Sequence, residues 1–366
     1  MRTALALLLF SLVAGLKAQV ITLLHNGNSS FFYNPHDLAG VMAAAQPGDT
    51  IILPGGDIDP PSSLTFNKPL VWVGAGYRPD TTTVTTPTVI AWHPNNQLSM
   101  SQQASGSRFH GIRFERVIRV GLTGVNNPAV DNVSFTRCEF TTGLSLAGGG
   151  AFAATNCQLR QCVLRGGVNV PFGNIAPLSN ALNAPTGFLA ENCIITGSVS
   201  FGNSPTTGQV ANCILLGPDF TSATLNNGLS YTNCIFAATA NYPAVNNPSS
   251  FQRCLFAQTG GAQPNWGANA INLGGNAASG LTATNVFRNV PVWNQFSYNY
   301  DYRLAVGSPA ANMGGTDSGV YGGPTGAVWK EGGIPFNPHW ISLSPSLGST
   351  NGGVINVNLS GAAQQN

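Results

Sequence analysis

Ala190-Glu-Asn-Cys193-Ile-Ile195, Val210-Ala-Asn-Cys213-Ile-Leu215, Tyr231-Thr-Asn-Cys234-Ile-Phe236 and Phe251-Gln-Arg-Cys254-Leu-Phe256 are four copies of one phrase. Upstream of them stand Phe135-Thr-Arg-Cys138-Glu-Phe140 and Leu159-Arg-Gln-Cys162-Val-Leu164. A still earlier copy, Phe109-His-Gly-Ile112-Arg-Phe114, carries Ile at the cysteine position. The steps between copies are 26, 24, 31, 20, 21 and 20 residues. A unit this short cannot bury its own apolar face, so it must stack on its neighbours. Period-two alternation puts the cysteine and the residue two later on one face, which is apolar in every copy and is expected to point into a core. Asn192, Asn212 and Asn233, each just before a cysteine, are expected to take a left-handed bend between two strands, a conformation Asn tolerates well.

Thr50-Ile-Ile-Leu53, Leu70-Val-Trp-Val73 and Thr88-Val-Ile-Ala91 read as earlier coils, and Thr282-Ala-Thr-Asn-Val-Phe287 as a worn last copy. At roughly 22 residues per turn this predicts an all-β, single-stranded solenoid of about 10–11 coils, a rod near ~50 Å long. Open rod ends would recruit other strands. A capping helix near residues 35–45 is expected at the first end, with Asn34 as its cap, Pro35 at the first helical position and Asp37 in the first turn. Beyond Gly326, Ile341-Ser-Leu343 and Val354-Ile-Asn-Val-Asn-Leu359 alternate as the strands of a hairpin. One position after the cysteine lies an outward row, Val163, Ile194, Ile214, Ile235 and Leu255. Left bare it would be a large apolar patch. The hairpin is expected to cover part of it; the alternative is a protein partner or a second copy docking there.

The chain opens with Met1-Arg2, an apolar run from Ala4 to Leu16, and Lys17-Ala18-Gln19. This order describes a secretory signal peptide cleaved after Ala18, too short to span a bilayer. The expected layout is therefore a signal at 1–18, a β-helix domain at 19–327 and a C-terminal hairpin and tail at 328–366. Without the signal, 13 basic face 13 acidic residues, and charged residues are 8% of the chain. Such neutrality leaves no electrostatic footprint for nucleic acid or for an anionic membrane. Seven cysteines in an exported chain invite disulfides. Stacked in register about 4.8 Å apart with parallel Cβ vectors, however, they cannot bridge and cannot converge on zinc. They read as small buried hydrophobes. Cys157, outside the pattern, is expected on a turn.

In three places the chain resembles exported bacterial right-handed parallel β-helix proteins of the pectate-lyase-like fold family. These are the opening helix with Gln46-Pro-Gly-Asp-Thr-Ile-Ile-Leu-Pro-Gly55, the repeated Asn-Cys phrase, and the close at Tyr302-Arg-Leu304, Gly307-Ser-Pro-Ala-Ala311 and Gly314. The resemblance implies the fold, right-handed winding included, and leaves the reaction open, because this fold hosts lyases, hydrolases, adhesins and spacers.

Lyases of this fold need a Lys or Arg base and often Ca²⁺ held by clustered acids; hydrolases need convergent carboxylates. Between Gly166 and Tyr300 the acids are Glu191 and Asp219 and the bases Arg253 and Arg288. Arg113 with Glu139, and Arg160 with Glu191, fall in matching rows of adjacent coils and are expected to pair. The dense charged stretch is Arg108, His110, Arg113, Glu115, Arg116 and Arg119. With Asp131, Arg137 and Arg165 it could line a groove for an acidic glycan, and Arg137, Glu139, Arg165 and Asp131 are the candidate catalytic residues. No cofactor or metal set is legible, and Ca²⁺ enters only with a lyase. Three readings follow: an exported non-catalytic surface or glycan-contacting module, periplasmic, outer-surface or extracellular; a polysaccharide lyase or glycoside hydrolase working along the early coils; or a subunit of a cell-surface assembly docking through the apolar row.

Overall fold

The computed structural model describes residues 19–78, 86–91, 98–122, 129–146, 154–165, 168–169, 185–196, 199–200, 207–216, 229–238, 249–258, 270–279, 283–292, 295–322, 329, 331–333, 339–345 and 357–362. The signal-peptide segment lies outside these residues. The body is a parallel β-solenoid with three faces. The first sheet has ten parallel strands, from Thr50–Ile52 to Ile271–Asn272, and the second has ten, from Gly56–Ile58 to Ala277–Ser279. A third, from Leu64–Phe66 to Val199–Ser200, has six. Among the described residues six coils thus carry all three strands and four carry two.

Each repeated phrase is strand, bend, strand. Thr186–Glu191 lies in the first sheet, Asn192 turns with φ 51°, Cys193 points inward, and Ile194–Thr196 enters the second sheet. The same left-handed bend recurs at Arg137, Gln161, Asn212, Asn233 and Arg253, with φ between 52° and 54°. Inside, like residues form columns. Phe109 stacks on Phe135 at 5.0 Å and Tyr231 on Phe251 at 5.2 Å; Phe236 lies 4.7 Å from Phe256. Each such pair adds ~0.5–1.5 kcal/mol to its burial.

All seven cysteines are buried and unbridged. The column does more than fill space. The Cys193 thiol donates to Leu159 O and accepts from Cys162 N–H at 3.5 Å; the Cys213 thiol takes Cys193 N–H at 3.4 Å. In the last coil Asn276 takes the cysteine's place, accepting from Cys254 N and donating to Phe251 O. Cys157 is not on a turn. It follows the left-handed Asn156 at the corner entering the first sheet, and it is in the core.

Several expectations need correction. Thr88–Ile90 is no separate coil; it is the second-face strand between Gly56–Ile58 and Arg113–Phe114. Val89 lies in the outward row with Asp57 and Arg113 and is buried all the same, so this strand is buried on both faces and shows no alternation to place it. Ala283–Val286 is a short helix, and Phe287–Asn289 pairs antiparallel with Asp301–Leu304, so that segment is no coil either. At the first end the helix is Leu38–Ala44, with Asp37 as its cap accepting from Gly40 N; Asn34 instead accepts from His36 N. Lys68 Nζ closes the other end of the helix, reaching Met42 O and Ala45 O at 2.7 Å. An antiparallel hairpin, Ile21–His25 with Asn28–Phe32, also covers the first-sheet edge. Its turn, Asn26-Gly27 with φ 48° and 80°, is a hairpin signal readable in the sequence.

The outward apolar row is covered. Val163, Ile194, Ile214, Ile235 and Leu255 form a second core with Phe287, Val290, Tyr302, Ala310, Met313 and Val320. All five row residues are at most 1% exposed, so no partner protein can dock on them. Burying each side chain contributes ~1.5–3 kcal/mol. The cover comes from the described residues 286–292 and 295–322, with Trp329; we call these residues the strap. The C-terminal hairpin does exist, as His339–Pro345 paired antiparallel with Val357–Ala362; its side chains lie outside the described residues.

Candidate functional site

The outward row of the second sheet runs Asp57, Val89, Arg113, Glu139 and then Val163, by strand register. Its charged part lies under the aromatic end of the strap. Glu139 is 0% exposed. Arg165 Nε stands 2.7 Å from Glu139 Oε1, with its N–H not aimed along that contact, and Arg113 Nε stands 3.6 Å from Oε2. Tyr298 donates its hydroxyl to Oε2. Arg165 lies against the rings of Phe296 and Tyr298, at 5.3 and 5.2 Å, and Arg78 lies 4.4 Å from the Tyr298 ring centre. Burial pushes the Glu139 carboxyl above the usual carboxylate range, against the opposing pull of Tyr298, Arg165 and Arg113. Burial and the Glu139 charge raise the Tyr298 phenol, so it stays protonated and donates.

The four candidate catalytic residues do not converge. Glu139 and Arg165 meet, as an internal ion pair. Arg137 turns at the corner, 2% exposed, and Arg137 Nε donates to Gln161 Oε1 at 2.8 Å. Asp131 sits at the other corner, accepting from Thr155 Oγ1 at 2.6 Å and Asn156 Nδ2 at 2.9 Å. Both expected row pairs form: Arg113 with Glu139, and Arg160 with Glu191 at 3.6 Å. Arg113 is also 3.0 Å from Glu115. His110 is lowered by burial and by Arg108 and Arg137, which suits a neutral imidazole. Among the described residues no group of three His, Cys, Asp or Glu could hold a metal ion.

A groove of about 350 Å³ opens elsewhere, on the outer face of the first sheet beside the strap. Arg160, Glu191, Ala211 and Thr232 line it in one register row, and Asn212, Asn233 and Arg253 line it from the corner row. Thr316 of the strap closes it.

No protein-family model, curated protein sequence or solved structure matches this chain.

Sequence reasoning missed the strap aromatics and the groove. Phe296, Tyr298, Tyr300 and Tyr302 recur at every second residue, a legible stripe. The groove residues Asn212, Asn233 and Arg253 are themselves members of the repeated phrase. The bend at Asn212 and Asn233 is expected from the sequence, that at Arg253 is not, and what these side chains meet outside the bend depends on the strap.

Proposed function

We propose that this is an exported parallel β-solenoid that contacts glycans without transforming them. Its relation is to the pectate-lyase-like fold group, and its export runs through the signal at residues 1–18. The observation that carries the reading is the state of Glu139. The one candidate carboxylate that meets a candidate base is spent in ion pairs with Arg165 and Arg113 and sealed by Tyr298, where a sugar cannot reach it. Arg137 and Asp131 are engaged at separate corners. A general acid or base must come within hydrogen-bond reach of the proton it moves. Among the described residues a groove lined by Gln209, Asn212, Thr232 and Asn233 opens on the first sheet, and these amides and hydroxyls suit hydroxyl-rich polymers.

The test is a panel of neutral and uronic-acid polysaccharides offered to the folded mature protein. Retention on the polymers is measured together with new unsaturated or reducing ends. Binding without new ends is the expected outcome. Release of new ends that is lost in Glu139→Gln would replace this reading with the lyase or hydrolase one. Absence of retention on every polymer would end the glycan reading.

A further inference from the structure

Among the described residues the first sheet ends on a strand with one free side at each of its edges. At the first end this is Asn28–Phe32, paired only with Ile21–His25. At the last end it is Ile271–Asn272, paired only with Ser250–Gln252. Among the described residues six large apolar side chains are exposed, and four of them stand on or beside these two strands. They are Phe31, Tyr33, Ile271 and Leu273, each more than half exposed. Neither residues 28–33 nor 270–275 contain a charged residue or a proline, which commonly guard a strand edge.

The two edges fit each other in direction, row and hydrogen-bond phase. Ile21–His25 runs antiparallel both to Asn28–Phe32 and to Thr50–Ile52. Asn28–Phe32 therefore points the same way as the coil strands, Ile271–Asn272 included. Phe31 heads the outward row that runs through Thr22, Ile52 and Val73 to Thr232 and Gln252. Leu273, the residue after Asn272, ends that same row. In a two-residue hairpin His25 and Asn28 exchange hydrogen bonds, so alternation turns the backbone N–H and C=O of Ser29 and Phe31 toward the free side. At the far edge Ile271 N–H and Leu273 N–H donate back to Ser249 O and Phe251 O, which leaves those of Asn272 facing outward. Set opposite Ser30 of another copy, Asn272 would donate to Ser29 O and accept from Phe31 N–H, the ordinary parallel pattern. The same placement brings Leu273 beside Phe31.

We propose that copies of this chain associate end to end, the Ile271–Asn272 edge of one adding in parallel to the Asn28–Phe32 edge of the next. A second copy is the occupant because it continues the ladder that already joins the coils, in direction and in register. Head and tail differ, so the contact is heterologous and stays open, and rods longer than two copies can grow. Four side chains and one short strand bury less than the ~800 Å² per partner of a standard interface, so the association is reversible and concentration-dependent. None of this rests on the glycan reading.

Sedimentation velocity of the folded mature protein at rising concentration tests the contact, and dimers and longer rods are expected. Phe31→Lys and Leu273→Lys each put a charge on one edge at an exposed position, so the fold should survive, as circular dichroism would check. Each variant alone should stay monomeric where the wild type associates. Mixed together, they should form a one-to-one dimer and nothing longer, because only one intact head meets one intact tail. Hydrogen exchange on the wild type needs no substitution. Residues 28–33 and 270–274 should gain protection together as the concentration rises. A wild type that is monomeric at every concentration, or protection gained at one edge alone, would overturn the proposal. So would a mixture that stays monomeric, or wild-type association by Leu273→Lys alone, which would mean that Asn28–Phe32 pairs with its own copy.

Discussion

Replacing Glu139 separates two contributions that ion-pair counting would merge. The carboxylate is wholly buried, while its partners Arg165 and Arg113 are 34% and 28% exposed. The arginines can therefore turn toward water, and Arg113 keeps Glu115. The raised Glu139 pKa means that its partners offset only part of the cost of burying the charge. Glu139→Gln keeps the volume and an acceptor for Tyr298, so its stability should lie within ~1 kcal/mol of wild type. Glu139→Ala removes one buried methylene, at ~0.8 kcal/mol, and vacates the space of the carboxylate. It also leaves the Tyr298 hydroxyl without its partner, which adds about 1–3 kcal/mol. We expect a loss near ~3 kcal/mol, felt first as loosening of the strap over the coils. A solenoid need not unfold in one step, so urea denaturation should be paired with hydrogen exchange at residues 295–304. The pH dependence has a definite sign. A carboxyl whose pKa is raised by folding binds its proton more tightly in the folded state, so its favourable contribution is present at low pH and is lost as pH rises through the raised value. Glu139→Gln should remove that decline. Equal destabilisation by Gln and Ala would show that the charge itself holds the strap and would refute this reasoning.

Other outcomes follow from the same packing. Thiol reagents should modify none of the seven cysteines in the native protein and all of them after unfolding; burial pushes the Cys157 thiol up to about 12, which removes its thiolate as well as its access. Cys213→Ala leaves the Cys193 N–H without its acceptor and opens a small void, so denaturation should show a loss of ~2–4 kcal/mol. Gly74→Ala would place a Cβ 2.4 Å from Gly111 O, a backbone atom that cannot swing away, and should lower stability by ~1–3 kcal/mol in the same assay. Asp49 is raised by burial but lowered more by Gln46 N–H and His25, for a net depressed pKa. Its contribution is thus present above the ordinary carboxylate range and lost as pH falls through the depressed value. Asp49→Asn should be less stable than wild type near neutrality, and the gap should close in acid.

The columns of this protein are legible in its sequence. A cysteine that returns every 20 to 31 residues, always with an apolar residue two places on, dictates stacked coils, because no other arrangement buries that face repeatedly. The left-handed bend at Asn192, Asn212 and Asn233 and the pairing of Arg113 with Glu139 and of Arg160 with Glu191 come from the same local register. What the register could not say is what covers the outside. The row Val163 to Leu255 announces a need for cover, but any apolar segment would meet it. The strap that does so is far away in sequence and has no repeat to mark its docking position. Whether Glu139 meets solvent or Tyr298, and whether Asn212 and Asn233 are plain bends or the wall of a groove, was therefore decided by tertiary packing alone. Local periodicity determines which way a side chain points, and only the neighbour that arrives from elsewhere in the chain determines what it meets.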